Sequence, residues 1–255
     1  QMCIRDRFLW TNLFAISYEP VPPSDAGVKI TALLDTNRRL ALLKALPYLP
    51  KALLSIGYLG KGISMLHKIR SAGIQIYSGI NSMEALGNSK FEKVRFKIGE
   101  NTIEKSSGML LLHNGVVPNL QITRQLGCEH RWYDLQRYWE PVKDEWGNTS
   151  VDRISTAGDC GRISGAFVSE LNGYVSALDT VYKIGVISRK ERNRLSLPYR
   201  KELSKHKAVR PFLDKFFQPR KIWLVPEDED TLVCRCEDIT CLLYTSDAAD
   251  DMQCV

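Results

Sequence analysis

One run of residues, Thr149 to Ala166 (T-S-V-D-R-I-S-T-A-G-D-C-G-R-I-S-G-A), constrains the fold more than any other part of the sequence. The stretch from Ile154 predicts a β-strand that ends in Ala-Gly-Asp, after which Gly161 and Gly165 let the backbone turn into a helix. A carboxylate at a strand end, followed by the amides of a helix N-terminus, suits a ligand with hydroxyl and anionic groups, such as a ribityl pyrophosphate. The competing interpretation is a tight turn whose glycines serve packing alone.

The first 120 residues alternate between strand and helix patterns. Val28 to Leu34 predicts a buried strand that is ended by Asp35, and residues 38–70 have a helical pattern interrupted by prolines and glycines. Ala72 to Tyr77 leads into a second strand, and further strands are predicted at 91–98, 102–103 and 109–112. This alternation predicts an α/β fold with a parallel sheet.

The second half of the chain has a different composition and a different pattern of predicted elements. Trp132, Trp139 and Trp146 lie in a polar stretch that predicts a β-hairpin, and residues 165–182 predict a helix. Residues 188–221 are rich in Lys and Arg, with apolar residues at helical spacing, and predict two helices broken by Pro198 and Pro211. A nucleic-acid surface is the alternative for this basic stretch, but the spacing favours helices with a solvated charged face, so we expect no nucleic-acid partner.

Composition sets broad limits on the class of protein. With 255 residues, 44% hydrophobic and 25% charged residues, the sequence is that of an ordinary globular protein, and the net charge of +6 suits a solvated surface as well as an anionic ligand. No apolar run reaches the roughly 18 residues of a spanning helix. The cysteines do not form a secreted disulfide framework, so we expect a cytoplasmic protein.

Both ends of the sequence look foreign to the rest. Residues 1–7 (QMCIRDR) and 241–255 (CLLYTSDAADDMQCV) resemble translated sequencing-adapter read-through, and residues 8–25 have no clean period. We therefore exclude the two ends as artefacts. We expect the chain to be an internal piece of a longer protein.

Asp35 is a second candidate ligand-binding residue. An acidic residue at the end of a second α/β strand binds the adenosine ribose in dinucleotide-binding folds. Such a residue favours NAD over NADP as the cofactor. The glycine motif G-x-G-x-x-G that should precede it is absent from the sequence. A helix N-cap or an ordinary turn aspartate is the alternative.

Four segments together carry a family resemblance. T-S-V-x-x-I-x-x-A-G-D resembles the second FAD-binding motif of glutathione-reductase-like flavoproteins, which contain two dinucleotide-binding domains. With L-L-L-H-N-G-V-V-P-N at 110–119, L-G-C-E-H at 126–130 and L-V-C-R-C-E-D at 232–238, the sequence is similar to the FAD/NAD(P)-binding subunit of opine oxidases. Its relatives are the flavin subunits of hydrogen cyanide synthase and of heteromeric amino-acid dehydrogenases. The resemblance covers residues 26–240.

The resemblance implies roles for particular residues. Asp159 matches the aspartate that hydrogen-bonds the ribityl chain of FAD. Other matched positions are the glycines that admit the flavin, the start of the following helix and the strand end of the NAD(P) domain: Gly158, Gly161, Gly165, Ala166 and Asp35. One departure is Asp152-Arg153, which stands where the family has Pro-Gly. Because the first glycine motif of the FAD domain is also absent, we expect the chain alone not to bind FAD.

Cys234 and Cys236 form a C-x-C pair. Thiolates at this spacing can ligate an iron cluster, but four ligands are needed. In related flavin subunits such a pair opens a small domain, similar to bacterioferritin-associated ferredoxin (BFD), that holds a 2Fe–2S cluster. The resemblance therefore implies a truncated cluster domain, with Cys234 and Cys236 as its first two metal ligands. Without the resemblance, the pair would more often be incidental.

These observations predict an incomplete α/β flavoprotein of the two-dinucleotide-binding-domain type. The expected divisions after the first artefact (1–7) and the unreliable stretch (8–25) are a partial NAD(P)-binding domain (26–118), the C-terminal part of an FAD-binding domain (119–187), a basic helical segment and linker (188–230), the start of the cluster domain (231–240) and the second artefact (241–255).

The resemblance implies an FAD-dependent oxidoreductase subunit that oxidises the C–N bond of an opine or amino acid, or that passes electrons from flavin to an iron–sulfur centre. Its implied partner is a second flavoprotein subunit. The alternatives are a stand-alone NAD(P)H-dependent flavin reductase, a non-catalytic subunit for electron transfer and a broken reading frame without activity. Catalytic residues cannot be named from the sequence.

Overall fold

The computed structural model describes residues 13–17, 30–37, 40–113, 115–224, 230, 232–234 and 239–240. They belong to two units, residues 1–218 and residues 219–255. The predicted artefact segments 1–7 and 241–255 lie outside the described residues, as does Cys236. The expected domain divisions at 118, 187 and 230 stay predictions.

A four-stranded sheet is built from β1 (Leu13–Ser17), β2 (Ile30–Asp35), β3 (Gln75–Ser78) and β7 (Met109–Leu111), in the order β3-β2-β1-β7. The pairing of β2 with β3 is parallel, whereas β1 pairs antiparallel with both β2 and β7. The prediction of a parallel sheet is therefore wrong for two of the three pairs. The reason is that β1, which the sequence pattern did not reveal, inserts antiparallel between β2 and β7.

A second sheet is an antiparallel meander of β4 (Ser82–Leu86), β5 (Lys93–Ile98) and β6 (Asn101–Ser106). Val94 and Phe96 on β5 are fully buried, which is the alternation that predicted this strand. On the other face, Arg95 forms ion pairs with Glu84 of β4 and Glu104 of β6, at 3.1 and 2.8 Å.

Three helices follow β2: α1 (Ala41–Ala45), α2 (Leu49–Ala52) and α3 (Ile56–Ser71), joined by short 3₁₀ turns at Leu46–Tyr48 and Leu53–Ser55. Pro47 and Pro50 lie in the first turns of their elements, where a missing N–H costs least. Ala45 and Ala52 pack with Val209 and Phe212 in a small buried core.

The second half contains α4 (Gln121–Gln125) and then a hairpin of β8 (His130–Tyr133) and β9 (Tyr138–Pro141). Trp132 pairs directly with Trp139 across this hairpin, so the predicted hairpin is confirmed for these two residues. Trp146 lies beyond the hairpin and packs instead against the core of Val168, Val175 and Leu203.

Helices α5 (Ala166–Lys183), α6 (Arg189–Ala208) and α7 (Arg210–Phe216) complete the first unit. The predicted helix at 165–182 is confirmed as α5. The prediction that Pro198 breaks the basic stretch is wrong, because Pro198 lies inside α6. The break falls at Val209 instead, and Pro211 lies in the first turn of α7.

The second unit contains a 3₁₀ turn, Lys221–Trp223, and a two-stranded antiparallel sheet of β10 (Leu232–Cys234) and β11 (Ile239–Thr240). This small hairpin falls within the predicted start of the cluster domain. Among the described residues, no helix is both long and apolar enough to span a membrane.

Candidate functional site

The segment that leads into α5 forms a loop with two left-handed glycines. Gly158 has φ 74° and Gly165 has φ 100°, values that favour glycine over any other residue. The predicted strand from Ile154 to Asp159 is wrong: Ser155 forms an isolated bridge with Asn148, and Gly158–Cys160 is a 3₁₀ turn. The chain bends here because glycines interrupt it before a ladder can form. We call residues 158–166 the glycine loop.

Asp159 lies in this 3₁₀ turn, at the base of α5. The hydroxyl of Ser169, in the first turn of α5, donates a hydrogen bond to Oδ1 of Asp159 at 3.3 Å. A Cβ added at Gly158 would lie 3.3 Å from the Cβ of Ser169, so the glycine allows the loop to pack closely on the helix. The carboxylate is thus positioned beside the N-terminus of an 18-residue helix.

Gly165 is the N-cap residue of α5 and Ala166 is its first residue. Glycine offers no side-chain cap, and a Cβ placed on Gly165 would meet no atom within 4 Å. The backbone at this helix start is therefore bare, as the sequence predicted. Unsatisfied amides at a helix N-terminus attract anionic groups.

Gly161 makes room for groups that sequence reasoning missed. A Cβ at Gly161 would lie 2.1 Å from Nζ of Lys143 and 3.0 Å from Oγ1 of Thr156. Both side chains therefore converge on the backbone of the glycine loop. Lys143 precedes the loop by many residues and has no motif around it, so only the fold brings it here.

Asn148 anchors the segment before the loop to α5. Its side-chain amide donates to Asp179 at 2.8 Å and to Asp144 at 2.9 Å, while its carbonyl accepts from Ser155 and Lys183 at 2.9 and 2.7 Å. Asp179 is buried and also pairs with Arg192 of α6. This network fixes the approach to the glycine loop.

Asp35 ends β2, as predicted, but it does not meet the glycine loop through any described contact. Its carboxylate accepts from the backbone amide of Asn37 at 2.9 Å, which is the geometry of an Asx turn. Burial raises the pKa of Asp35, while hydrogen bonds from Asn37 and Ser78 oppose this shift. The contacts show the turn role, and ribose binding stays a prediction.

Of the two predicted ligands of an iron–sulfur cluster, one lies among the described residues. Cys234 is the last residue of β10, and Cys236 lies outside the described residues. Across the described ranges, no three or more His, Cys, Asp or Glu side chains are arranged to hold a metal ion. The iron–sulfur assignment of Cys234 and Cys236 stays a prediction.

Known proteins resemble most of this chain. The A subunit of the opine oxidase of Rhizobium meliloti is 38% identical over 218 residues, which cover 85% of this chain and 41% of that protein. The A subunit of the opine oxidase of Agrobacterium tumefaciens (strain Ach5) is 34% identical over 216 residues, covering 85% and 42%. Hydrogen cyanide synthase subunit HcnB of Pseudomonas protegens is 25% identical over 187 residues, covering 70% and 40%.

A crystal structure of L-proline dehydrogenase from P. horikoshii superposes on 56% of this chain and 27% of that one, with a TM-score of 0.39 and 22% identity. No protein-family model matches the sequence.

These relatives define the class as oxidoreductase subunits. Within that class, most of the chain is similar in sequence to the A subunit of opine oxidase and, at lower identity, to the HcnB subunit of hydrogen cyanide synthase, which confirms the resemblance found in the sequence. The chain spans about two fifths of the length of the curated relatives it matches.

Proposed function

We propose that the chain is the part of an FAD-dependent oxidoreductase subunit that holds the ribityl and anionic portion of FAD. The observation that carries this proposal is the glycine loop. It combines a partly exposed carboxylate at Asp159, two left-handed glycines and a bare helix N-terminus in nine consecutive residues.

The residues of the glycine loop fit such a ligand. Asp159 would accept hydrogen bonds from ribityl hydroxyls, and Ser169 holds one of its oxygens in place at 3.3 Å. The open space at Gly165 leaves the start of α5 accessible to an anionic or carbonyl oxygen. These groups cover only one side of a dinucleotide, since the sequence carries no G-x-G-x-x-G motif.

When bound, FAD would supply the electron acceptor for oxidation of a C–N bond in an opine or amino acid. The part of this chain is to bind and orient FAD, with Asp159, Gly158 and the α5 N-terminus as the contributing groups. Cys234 and Cys236 would be two of the four ligands of a 2Fe–2S cluster that carries electrons onward, in a cytoplasmic complex with a second flavoprotein subunit. Asp35 would contact the ribose of NAD(P).

Two other functions have distinct consequences. A stand-alone NAD(P)H-dependent flavin reductase would reduce its flavin with NAD(P)H in the absence of any partner. A non-catalytic electron-transfer subunit would bind flavin but would require a partner for substrate oxidation. The names of the relatives as subunits favour a heteromeric assembly over the stand-alone enzyme.

A chimera tests the flavin proposal. Residues 26–240 replace the matched 218-residue segment in the A subunit of the Rhizobium meliloti opine oxidase, and the flavin content of the purified chimera is read from its visible absorbance. We expect bound flavin in the chimera. Asp159→Ala should weaken retention by about 10- to 100-fold, because a charged hydrogen-bond acceptor is lost.

Asp152→Ala is the matched control, since Asp152 is a nearby acid that is 90% exposed and, in the described part of the chain, pairs only with Arg153, at 3.6 Å. It should leave flavin content unchanged. A folded chimera without flavin would refute the proposal, and undiminished flavin in Asp159→Ala would refute the role of that residue.

A further inference from the structure

A pocket with several charged residues in its lining lies beside the glycine loop, on the side that faces the body of α5. Its volume is about 90 Å³, which is room for a few water molecules or one small oxyanion. The lining comes from the segment after β9, from the glycine loop, from α5 and from the end of α6. We call it the cationic pocket, after its residues Lys143, Arg162 and Lys207.

Two acidic residues also line the cationic pocket, but both are already engaged. The carboxylate of Asp144 accepts from the backbone amides of Trp146 and Asn148 and from the side chain of Asn148, at 2.8 to 2.9 Å. Glu145 pairs with Arg200 at 2.8 Å. Neither acid is paired with a lysine of the pocket.

The cations differ in how far they are neutralised. Arg162 has Glu140 at 3.5 Å and lies over the ring of Tyr133, with 4.2 Å between the guanidinium carbon and the ring centroid. Lys207, at the exposed rim, has the neutral side chain of Asn172 at 3.5 Å as its hydrogen-bond partner among the described residues. Among the described residues, the half-buried ammonium of Lys143 has no hydrogen-bond or ion-pair partner.

A buried hydroxyl lies next to Lys143. Thr156 is 5% exposed, and its Oγ1 has no hydrogen-bond partner within the described part of the chain. A buried polar atom without a partner is costly, and such atoms mark places where a water or ligand belongs. Since Lys143 and Thr156 both approach Gly161, one bound group can satisfy both side chains.

Burial lowers the pKa of Lys143, and the neighbouring cations Lys207 and Arg162 lower it further, while Cys160 and Glu140 act in the opposite direction. The pKa of Lys207 is likewise lowered, by partial desolvation of its ammonium and by the positive charges of Arg162 and Arg200. The pocket thus carries excess positive charge, which an anion would relieve.

We propose that the cationic pocket binds a single oxyanion, a carboxylate or a phosphate, through the ammonium of Lys143 and the hydroxyl of Thr156. Lys207 closes the rim, and Arg162 contributes positive potential while remaining paired with Glu140. This site does not depend on flavin binding. Its two possible sources are a carboxylate of the substrate and a phosphate of a dinucleotide.

Calorimetric titration of the full 255-residue chain tests the proposal, with inorganic phosphate and succinate as separate probes at constant ionic strength. We expect saturable binding of at least one probe. Binding of phosphate alone supports a dinucleotide phosphate as the source, succinate alone supports a substrate carboxylate, and both together support a general oxyanion site. Absence of saturable binding of either probe overturns the proposal.

Variants locate the bound group. Lys143→Met should weaken binding by about tenfold or more, and Thr156→Val, which keeps the side-chain shape, by a few-fold to about tenfold. Lys97→Met removes the same charge from an exposed position on β5 and should leave binding unchanged. Equal weakening by Lys97→Met and Lys143→Met would mean general charge attraction and would overturn the proposed site.

Circular dichroism of each variant shows whether it is folded. If Lys143→Met does not fold, Lys207→Met at the exposed rim serves in its place, with an expected loss of a few-fold. Unchanged affinity in a folded Lys143→Met, or in both Lys207→Met and Thr156→Val, would overturn the assignment.

Discussion

At the scale of single residues, the departure from the family pattern at Asp152-Arg153 places a non-glycine residue in an unfavourable backbone conformation. Arg153 has φ 62°, a left-handed conformation that branched and bulky residues rarely adopt. Its side chain is 91% exposed and, within the ranges that the structure describes, pairs only with the similarly exposed Asp152. The resemblance places glycine at this position in the family, and the backbone angle supplies the physical reason.

Arg153→Gly should therefore raise the free energy of unfolding by about 1 kcal/mol, because glycine adopts the left-handed region without strain. Chemical denaturation of the purified chain measures this change. Asp152→Gly is the control: Asp152 has no positive φ, so glycine there should lower stability by about 0.4–1 kcal/mol through the unfolded state. A loss of stability in both variants would contradict the strain at Arg153.

At the scale of secondary structure, α6 tolerates a proline that the sequence pattern treats as a break. Pro198 lies in the interior of the 20-residue helix, where its ring removes one backbone hydrogen bond. The helix continues because residues on both sides of the proline are held by packing: Arg192 pairs with Asp179 of α5, and Leu203 lies in the buried core. Tertiary contacts thus override the local signal.

Pro198→Ala should raise the free energy of unfolding by about 2 kcal/mol, since the interior penalty of proline exceeds its benefit through the unfolded state. The midpoint of thermal unfolding is the measurement. Pro211, in the first turn of α7, is the matched control, and Pro211→Ala should leave stability unchanged or slightly lower. A Pro198→Ala variant that is less stable than the original would show that the proline is favourable in α6.

Patterns local in sequence were predictable and those that depend on distant partners were not. The pattern of residues 165–182 predicted α5, and the polar stretch that holds Trp132 and Trp139 predicted the hairpin of β8 and β9. Strand β4 (S-M-E-A-L) has no β-branched residue, and it pairs with β5, where Glu84 meets Arg95. Its stability comes from that partner and not from its own sequence.

The candidate site likewise combines residues that the sequence predicted with residues that only the structure reveals. Gly158, Asp159 and Gly165 belong to one short motif, so the sequence predicted their place immediately before α5. Lys143 approaches Gly161 from outside the motif, Thr156 approaches it from a motif position to which the sequence assigned no role, and Asn148 acts through Asp179. These contacts join residues that no spacing rule connects, and only the folded chain reveals them.

At the scale of the whole molecule, the segment from α1 to α3 exposes many large apolar side chains. More than two fifths of the side-chain surface is exposed at each of Leu40, Leu42, Leu43, Leu46, Leu53, Leu54, Ile56 and Ile63. Exposed apolar side chains that are concentrated in one segment favour binding to other apolar surfaces.

The folded chain should therefore bind the apolar dye ANS, and the fluorescence should fall when Leu42 and Leu54 are both changed to Gln. Leu54 is 73% exposed. Leu197→Gln is the control, because Leu197 on α6 is 64% exposed but lies outside this segment. Equal loss of fluorescence in the control would mean that the dye does not prefer the α1–α3 segment.

The position of β1 has a kinetic consequence. Ala15 pairs with Leu111. This pairing closes a loop that contains the whole chain from β2 to β6. The meander of β4, β5 and β6, by contrast, needs only neighbouring residues. Closing this longer loop costs more conformational entropy than forming the meander does, and the cost comes before the stabilising contacts of β1 and β7 have formed. We expect refolding to be biphasic, with early protection of meander amides from hydrogen exchange and later protection of β1 and β7.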